Sequence, residues 1–280
     1  MDTRPIGVFD SGLGGLSVWR QMIQDLPQES LIYVADRQYC PYGPRPAEEV
    51  QCLSEGIVRF LVEQDCKLIV VACNTATTAA IHHLRQAFDL PFVGMEPAIK
   101  PAVAATQSQV VGVLATQGTF AGGHFQRTRN KYAQGVRVIG QIGHGLVELV
   151  ENGLEDSEQA VGLLSQYLEP MLAKGADQIV LGCSHYPFLW KSMERVLQQR
   201  AAIIDPAPAV VRQISRLLEQ HQLSAELGRQ GTYRFTDSAK GSRLKDMVTR
   251  IAPAPNWDDQ AFEQVDIPRP CLATPRTMEE

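Results

Sequence analysis

Apolar positions in this chain fall into short blocks, each followed by a stretch with apolar residues at helical spacing. The first block, residues 6–9, runs into Asp10-Ser11-Gly12-Leu13-Gly14-Gly15, a polar and glycine-rich turn. A helix is predicted over residues 16–26 and is stopped by Pro27, which cannot supply the N–H that a helix needs. A second strand at 31–35 leads into the loop Tyr39-Cys40-Pro41-Tyr42-Gly43-Pro44. Beyond it Val50, Leu53, Ile57, Val58, Leu61 and Val62 share one helical face. A third strand at 67–72 is apolar after Lys67, as strands buried on both faces of a parallel sheet are. Cys73-Asn74-Thr75 then opens a helical run to about residue 88. This alternation defines an α/β class built on parallel sheets.

Three segments recur in the same order. Residues 69–74, IVVACN, resemble 179–184, IVLGCS, at an offset of 110. Gly7-Val8 resembles Gly112-Val113 at an offset of 105, and Glu96-Pro97-Ala98 resembles Asp205-Pro206-Ala207 at 109. Collinear matches at nearly one offset predict a duplicated α/β unit of about half the chain. Ligands of parallel α/β sheets bind outside the carboxyl ends of the strands. Two pseudo-symmetric halves would therefore aim Cys73 and Cys183 into one cleft from opposite sides. Further helices are predicted after Asp205-Pro206 to about residue 223 and over 242–251, with a strand at 232–235 between them. The proline-rich residues 254–280 read as an irregular or disordered tail.

Composition narrows the classes. The 280 residues carry 26 Lys+Arg against 31 Asp+Glu, a net charge of −5, with 44% hydrophobic residues. A disordered chain would be less apolar, and a nucleic-acid binder would show a basic excess. The best apolar run, residues 68–73, is far shorter than the roughly 20 residues of a membrane span. The start MDTRPIGVFDS has no basic segment leading into a long apolar one, so no secretory signal is expected. Six cysteines without C-x2-C or zinc-finger spacing predict free thiols in a reducing cytoplasm and no metal site.

The glycine turn lacks the third glycine of a dinucleotide fingerprint and the lysine of a P-loop. Asp10 and Ser11, at a strand end beside exposed amides, could hold an ammonium or carboxylate group. Cys73-Asn74-Thr75 and Cys183-Ser184-His185 each follow a strand and precede a helix, with Asn74, Thr75 and Ser184 as N-cap candidates. A helix N-terminus stabilises a thiolate, which predicts thiol pKa values moved towards neutrality. His185 is placed to orient or protonate Cys183, and Asp10 to serve Cys73. Two opposed thiols suit removal of a proton from one face of a carbon and its return on the other.

The motifs Asp10-Ser11-Gly12-x-Gly14-Gly15, Pro41-Tyr42-Gly43, Cys73-Asn74-Thr75 and Gly182-Cys183-Ser184-His185-Tyr186-Pro187 together resemble the glutamate racemases of the aspartate/glutamate racemase superfamily. The resemblance spans about residues 5–253. It implies cofactor-independent interconversion of L- and D-glutamate, which supplies peptidoglycan synthesis. By resemblance Cys73 and Cys183 are the acid/base pair, assisted by Asp10, His185 and Glu151. Ser11, Tyr42, Gly43, Asn74, Thr75 and Ser184, with Asp10 and His185, match substrate-binding positions, and Thr116 and Thr119 lie in a matching loop. The family most often has threonine at the position of Ser184.

The same resemblance implies one domain of residues 1–97 with 207–253, a second of 98–206 inserted in it, and hinges near Pro97 and Pro206. It also makes a homodimer a family-level expectation, with no nucleic-acid or membrane partner. Three other readings remain: an aspartate or related amino-acid racemase, a Cys183–His185 hydrolase, and a two-domain ligand binder. The hydrolase leaves Cys73 without a task, and the binder leaves both thiols without one.

Overall fold

The computed structural model describes residues 1–121, 123–252 and 258–269, without the side chains of His124 and Asp259. Trp257, Cys271 and the prolines at 253, 255, 270 and 275 lie outside the described residues.

The chain folds around two parallel sheets. The first half lays down β1 (Ile6–Asp10), α1 (Leu16–Asp25), β2 (Leu31–Ala35), α2 (Ala47–Glu63), β3 (Leu68–Val71), α3 (Asn74–Ala87) and β4 (Phe92–Gly94). Next come α4 (Ile99–Ala105), β5 (Val110–Ala115), α5 (Gln117–Ala121), α6 (Gly123–Tyr132), β6 (Arg137–Ile142), α7 (Leu146–Glu151) and α8 (Glu158–Leu172). They are followed by β7 (Gln178–Gly182), α9 (Trp190–Leu197) and β8 (Ala202–Ile204). The chain then returns to the first sheet through α10 (Ala207–Gln220), β9 (Tyr233–Asp237), α11 (Arg243–Ile251) and β10 (Phe262–Gln264).

Strand order is β10-β9-β2-β1-β3-β4 in one sheet and β6-β5-β7-β8 in the other. The stretch β2-β1-β3-β4 thus has the same order as β6-β5-β7-β8, as the sequence repeat requires. Register agrees as well: Gly7 pairs with Ile69, and Gly112 pairs with Ile179. Both glycines are there for space. A Cβ on Gly7 would lie 2.9 Å from a Leu61 methyl, and one on Gly112 would lie 2.8 Å from both Ile179 and Met171. Absence of a side chain lets helices seat directly on the central strands.

Strands β1, β2, β3 and β7 are buried along their whole length, which accounts for their runs of branched apolar residues. One continuous apolar cluster joins the sheets: Leu13, Leu16 and Trp19 from the first half and Leu114, Val150, Tyr186 and Met193 from the second belong to it. The two α/β domains therefore pack as one body around the strand ends.

Two expectations are corrected. Residues 258–269 are not an irregular tail: Phe262, Glu263 and Gln264 pair in parallel with Phe235, Thr236 and Asp237 of β9, and Ile267 and Arg269 are buried. Proline content had hidden a strand whose stability comes from pairing with a distant neighbour. Nor are all cysteines free. Cys40, Cys66, Cys73 and Cys183 are free thiols among the described residues, whereas Cys52 is held in a disulfide.

Candidate active site

The carboxyl ends of β1, β3, β5 and β7 converge on a small cavity of about 10 Å³, enough for about one water. Its walls match across the duplication: Ser11 faces the role of Thr116, Cys73 that of Cys183, and Asn74 that of Ser184. Pro41, Tyr42, Gly43, Thr75, Val147 and His185 complete the lining.

On the first side Cys73 itself is the N-cap of α3, its sulfur accepting from the Ala76 amide at 3.4 Å. Asn74 and Thr75, expected as caps, are the first helical residues instead. The thiol also donates to Ser11 Oγ at 3.8 Å. Its acidity runs opposite to expectation: burial, with the nearby Asp10 charge, pushes Cys73 up to about 12, and the Ala76 amide only partly opposes this. The helix terminus is present, yet the loss of water outweighs it.

On the second side the cap expectation also fails. Ser184 caps no helix: its hydroxyl donates to Asp10 Oδ1 at 2.7 Å, while a short 3-10 turn at Tyr186–Leu189 leads into α9. Asp10 Oδ2 accepts from the Gly12 amide at 2.8 Å. Asp10 therefore bridges the halves and reaches Cys73 through its charge. Burial raises its own pKa above the ordinary carboxylate value.

His185 lies with Nδ1 3.9 Å from Cys183 Sγ and Nε2 2.8 Å from Glu151 Oε1. Burial would lower its pKa, but hydrogen bonding with Cys183, Cys40 and Glu151 raises it well above 6.5. Glu151 shows the reverse balance. Burial would raise it, yet His185, the Leu13 amide and Arg37 hold it below 4.5. Its Oε1 accepts from Leu13 N at 2.6 Å and its Oε2 from Arg37 Nε at 3.3 Å. Arg37 also donates to Asp237 at 2.8 Å.

The front of the cavity is closed by bonds between the halves. The Gly118 amide donates to Gly43 O at 3.0 Å, and Thr75 and Thr116 share a hydroxyl bond of 2.8 Å. Thr116 passes the chain on to Thr119 at 2.9 Å, which donates to Gly182 O. The other polar side chains are partly committed: Tyr42 donates to Asp36 at 2.5 Å, and Asn74 Nδ2 to Met95 O at 3.5 Å. The Asn74 Oδ1 atom is buried without a hydrogen-bond partner among the described residues, leaving an acceptor suited to an ammonium group.

All the sequence-predicted site residues thus gather at one place, with Asp10 behind Ser184, Glu151 behind His185 and Thr119 behind Thr116 rather than in the cavity lining. Arg37 and Cys40 were missed. Cys40 lies beside His185 and Glu151, with ligand-type atoms of the three within 4.8 Å of one another. A cation is disfavoured there by the Arg37 guanidinium on Glu151 and by a histidine whose proton is held tightly.

Fold and site together define a two-domain α/β protein that presents paired cysteines from its two halves to one cavity. Residues 6–214 match the Asp/Glu/Hydantoin racemase family, and the chain belongs to that family. It is 49% identical to a glutamate racemase of Herpetosiphon aurantiacus over 85% of this chain and 94% of that protein. It is 48% identical to one of Ectopseudomonas mendocina over 86% and 92%. Among solved structures, a glutamate racemase isoform of Bacillus anthracis superposes with a TM-score of 0.86 at 31% identity, covering 96% of this chain and 99% of that one. The Escherichia coli enzyme, crystallised with L-glutamate and the activator UDP-MurNAc-ala, superposes at 0.77 with 32% identity over 89% and 95%.

Proposed function

We propose that this chain interconverts L- and D-glutamate by a two-thiol mechanism and so supplies D-glutamate for peptidoglycan. The observation that carries the reading is the matched pair Cys73 and Cys183, each ending a central strand of its sheet and lining one cavity. Family membership and the glutamate racemases similar along most of the chain supply the substrate.

In this reading the substrate Cα sits between the sulfurs. One sulfur, as thiolate, takes the Cα proton and becomes a thiol. The electron pair forms a double bond to the carboxylate carbon as the carbonyl pair shifts onto oxygen, and the opposite thiol returns a proton to the other face of Cα as that charge flows back. Roles reverse for the other enantiomer. A buried Cys73 thiol resists ionisation, so the substrate ammonium is needed beside it to offset the Asp10 charge. Ser11, Asn74, Thr75, Thr116 and Ser184 offer hydroxyl and amide groups for the ammonium and carboxylates, with backbone amides stabilising the charge that develops. His185, cationic through Glu151, holds the Cys183 side. Residues 1–97 with the returning chain, and residues 98–206, act as the two domains, and this division is supported by which strands share a sheet. Among the described residues no helix is long and apolar enough to cross a membrane, and this reading places the enzyme in the cytoplasm.

The test is incubation with L-glutamate in heavy water without added cofactor. Decay of the circular dichroism signal with deuterium entering Cα is expected. A signal that persists from both enantiomers would remove the reading.

A further inference from the structure

The C-terminal segment after β10 reaches the wall of the active site. Arg269, 4% exposed at its side chain, donates from Nη2 to Asp36 Oδ1 at 2.7 Å, and Asp36 is fully buried. The other oxygen of that carboxylate accepts from the Tyr42 hydroxyl. Tyr42 lines the cavity beside Cys73 and Gly43. One carboxylate thus connects a residue near the end of the chain to the Pro41-Tyr42-Gly43 wall.

The path of this segment is shaped to deliver the guanidinium. Val265 N donates to Asp237 O at 3.1 Å, which continues the β10–β9 pairing. Ile267 is buried in the same apolar cluster as Tyr42 and Cys73. Gly56 on α2 clears the passage: a Cβ there would lie 2.6 Å from Arg269 Nη1 and 2.7 Å from Pro268 O. The guanidinium carbon also stands 5.7 Å from the centre of the Tyr39 ring, close enough for cation–π attraction. Nη2 is the one nitrogen of the group with a hydrogen-bond partner among the described residues, so Asp36 is where its charge acts.

We infer that Arg269 is a positioning residue for substrate binding: it fixes the Asp36 carboxylate, which fixes the Tyr42 hydroxyl and with it the Pro41-Tyr42-Gly43 wall of the cavity. The inference rests on the proposed glutamate chemistry only for its kinetic readout. Without the guanidinium, Asp36 is left buried with a single neutral donor, and the carboxylate and Tyr42 must reorganise to regain polar contacts. Substrate affinity then falls more than turnover does, because the thiols are held by β3 and β7.

The test compares the full-length protein with R269M and R269K, each with and without Y42F. KM for L-glutamate and kcat are measured alongside the 13C-ζ tyrosine NMR signal of Tyr42, assigned through Y42F. R269M is expected to raise KM about tenfold with kcat within about threefold, a change in binding and not in chemistry. It should also move the Tyr42 resonance, and R269K should restore part of both. The effect of R269M on KM should shrink in the Y42F background, as coupled residues require. R269K carries the test if R269M does not fold. An unchanged KM with only a smaller active fraction, or an unmoved Tyr42 signal, would overturn the inference. A moved Tyr42 signal in a protein whose wild type does not racemise glutamate would instead overturn the proposed function and leave the positioning role standing.

Discussion

His185 donates from Nε2 to Glu151 Oε1 across 2.8 Å, linking the second thiol to a carboxylate 34 residues earlier in the chain. The pair holds charge in a buried place, and each partner moves the other's pKa outward: His185 up from 6.5 and Glu151 down from 4.5.

E151Q should therefore weaken the protein in a pH-dependent way. The raised His185 contributes stability that is complete below 6.5 and lost as pH rises through its folded value. The lowered Glu151 contributes stability present above 4.5 and lost as pH falls through its folded value. The gap between wild type and E151Q in urea denaturation should be about 2 kcal/mol near pH 6 and should narrow in alkali. A pH-independent gap would show that the pair is not ionised. The alkaline limb of activity should move to lower pH in the same variant.

C73A and C183A should each lose racemisation by at least about a thousandfold, in line with removal of a general acid or base. Each variant keeps one base, so it should retain slow deuterium exchange from one enantiomer, opposite between the two variants. Mass spectrometry of each recovered enantiomer decides this. Substantial racemisation by either variant would end the two-thiol scheme.

Cys73, at about 12, is almost wholly protonated at neutral pH. Alkylation by iodoacetamide should be slow at pH 8 and rise about tenfold per pH unit, because only the thiolate reacts. Peptide mapping of the Cys73 peptide gives the rate. Fast, pH-independent modification would contradict the burial account.

Away from the site, Lys67 and Glu29 form a 2.6 Å ion pair with no solvent exposure at either side chain. Glu29 also accepts from the Ala225 amide, which ties the pair to the segment after α10. K67M should cost about 3–5 kcal/mol in urea denaturation by leaving the Glu29 charge buried. Pairing it with E29Q should recover part of that loss. Equal instability of single and double variants would indicate lost packing instead.

Where a residue's position follows from its place at a strand end, the sequence is sufficient. Cys73 and Cys183 stood out because apolar runs deliver them to the carboxyl ends of β3 and β7 in a duplicated unit. Arg37 and Arg269 could not be read this way, since their partners Glu151 and Asp36 are 114 and 233 residues away. The acidity of Cys73 differs from the expectation for a related reason. A helix terminus is a local feature, but burial is decided by everything packed around it. Strand β10 escapes a sequence reading because three residues within a proline-rich stretch carry no periodic signal, and their order comes from β9.

The closed front of the cavity, fastened by Gly118 to Gly43 and by Thr75 to Thr116, has a kinetic consequence. A space of about 10 Å³ is too small for a five-carbon amino acid, so capture cannot be a simple collision with a waiting pocket. In the proposed reaction, widening this space for the substrate would part these bonds and re-form them around it. At saturating glutamate the rate of this breathing, and not proton transfer, can set the ceiling on turnover. Solvent viscosity would then slow the enzyme while deuterium at Cα would scarcely affect it.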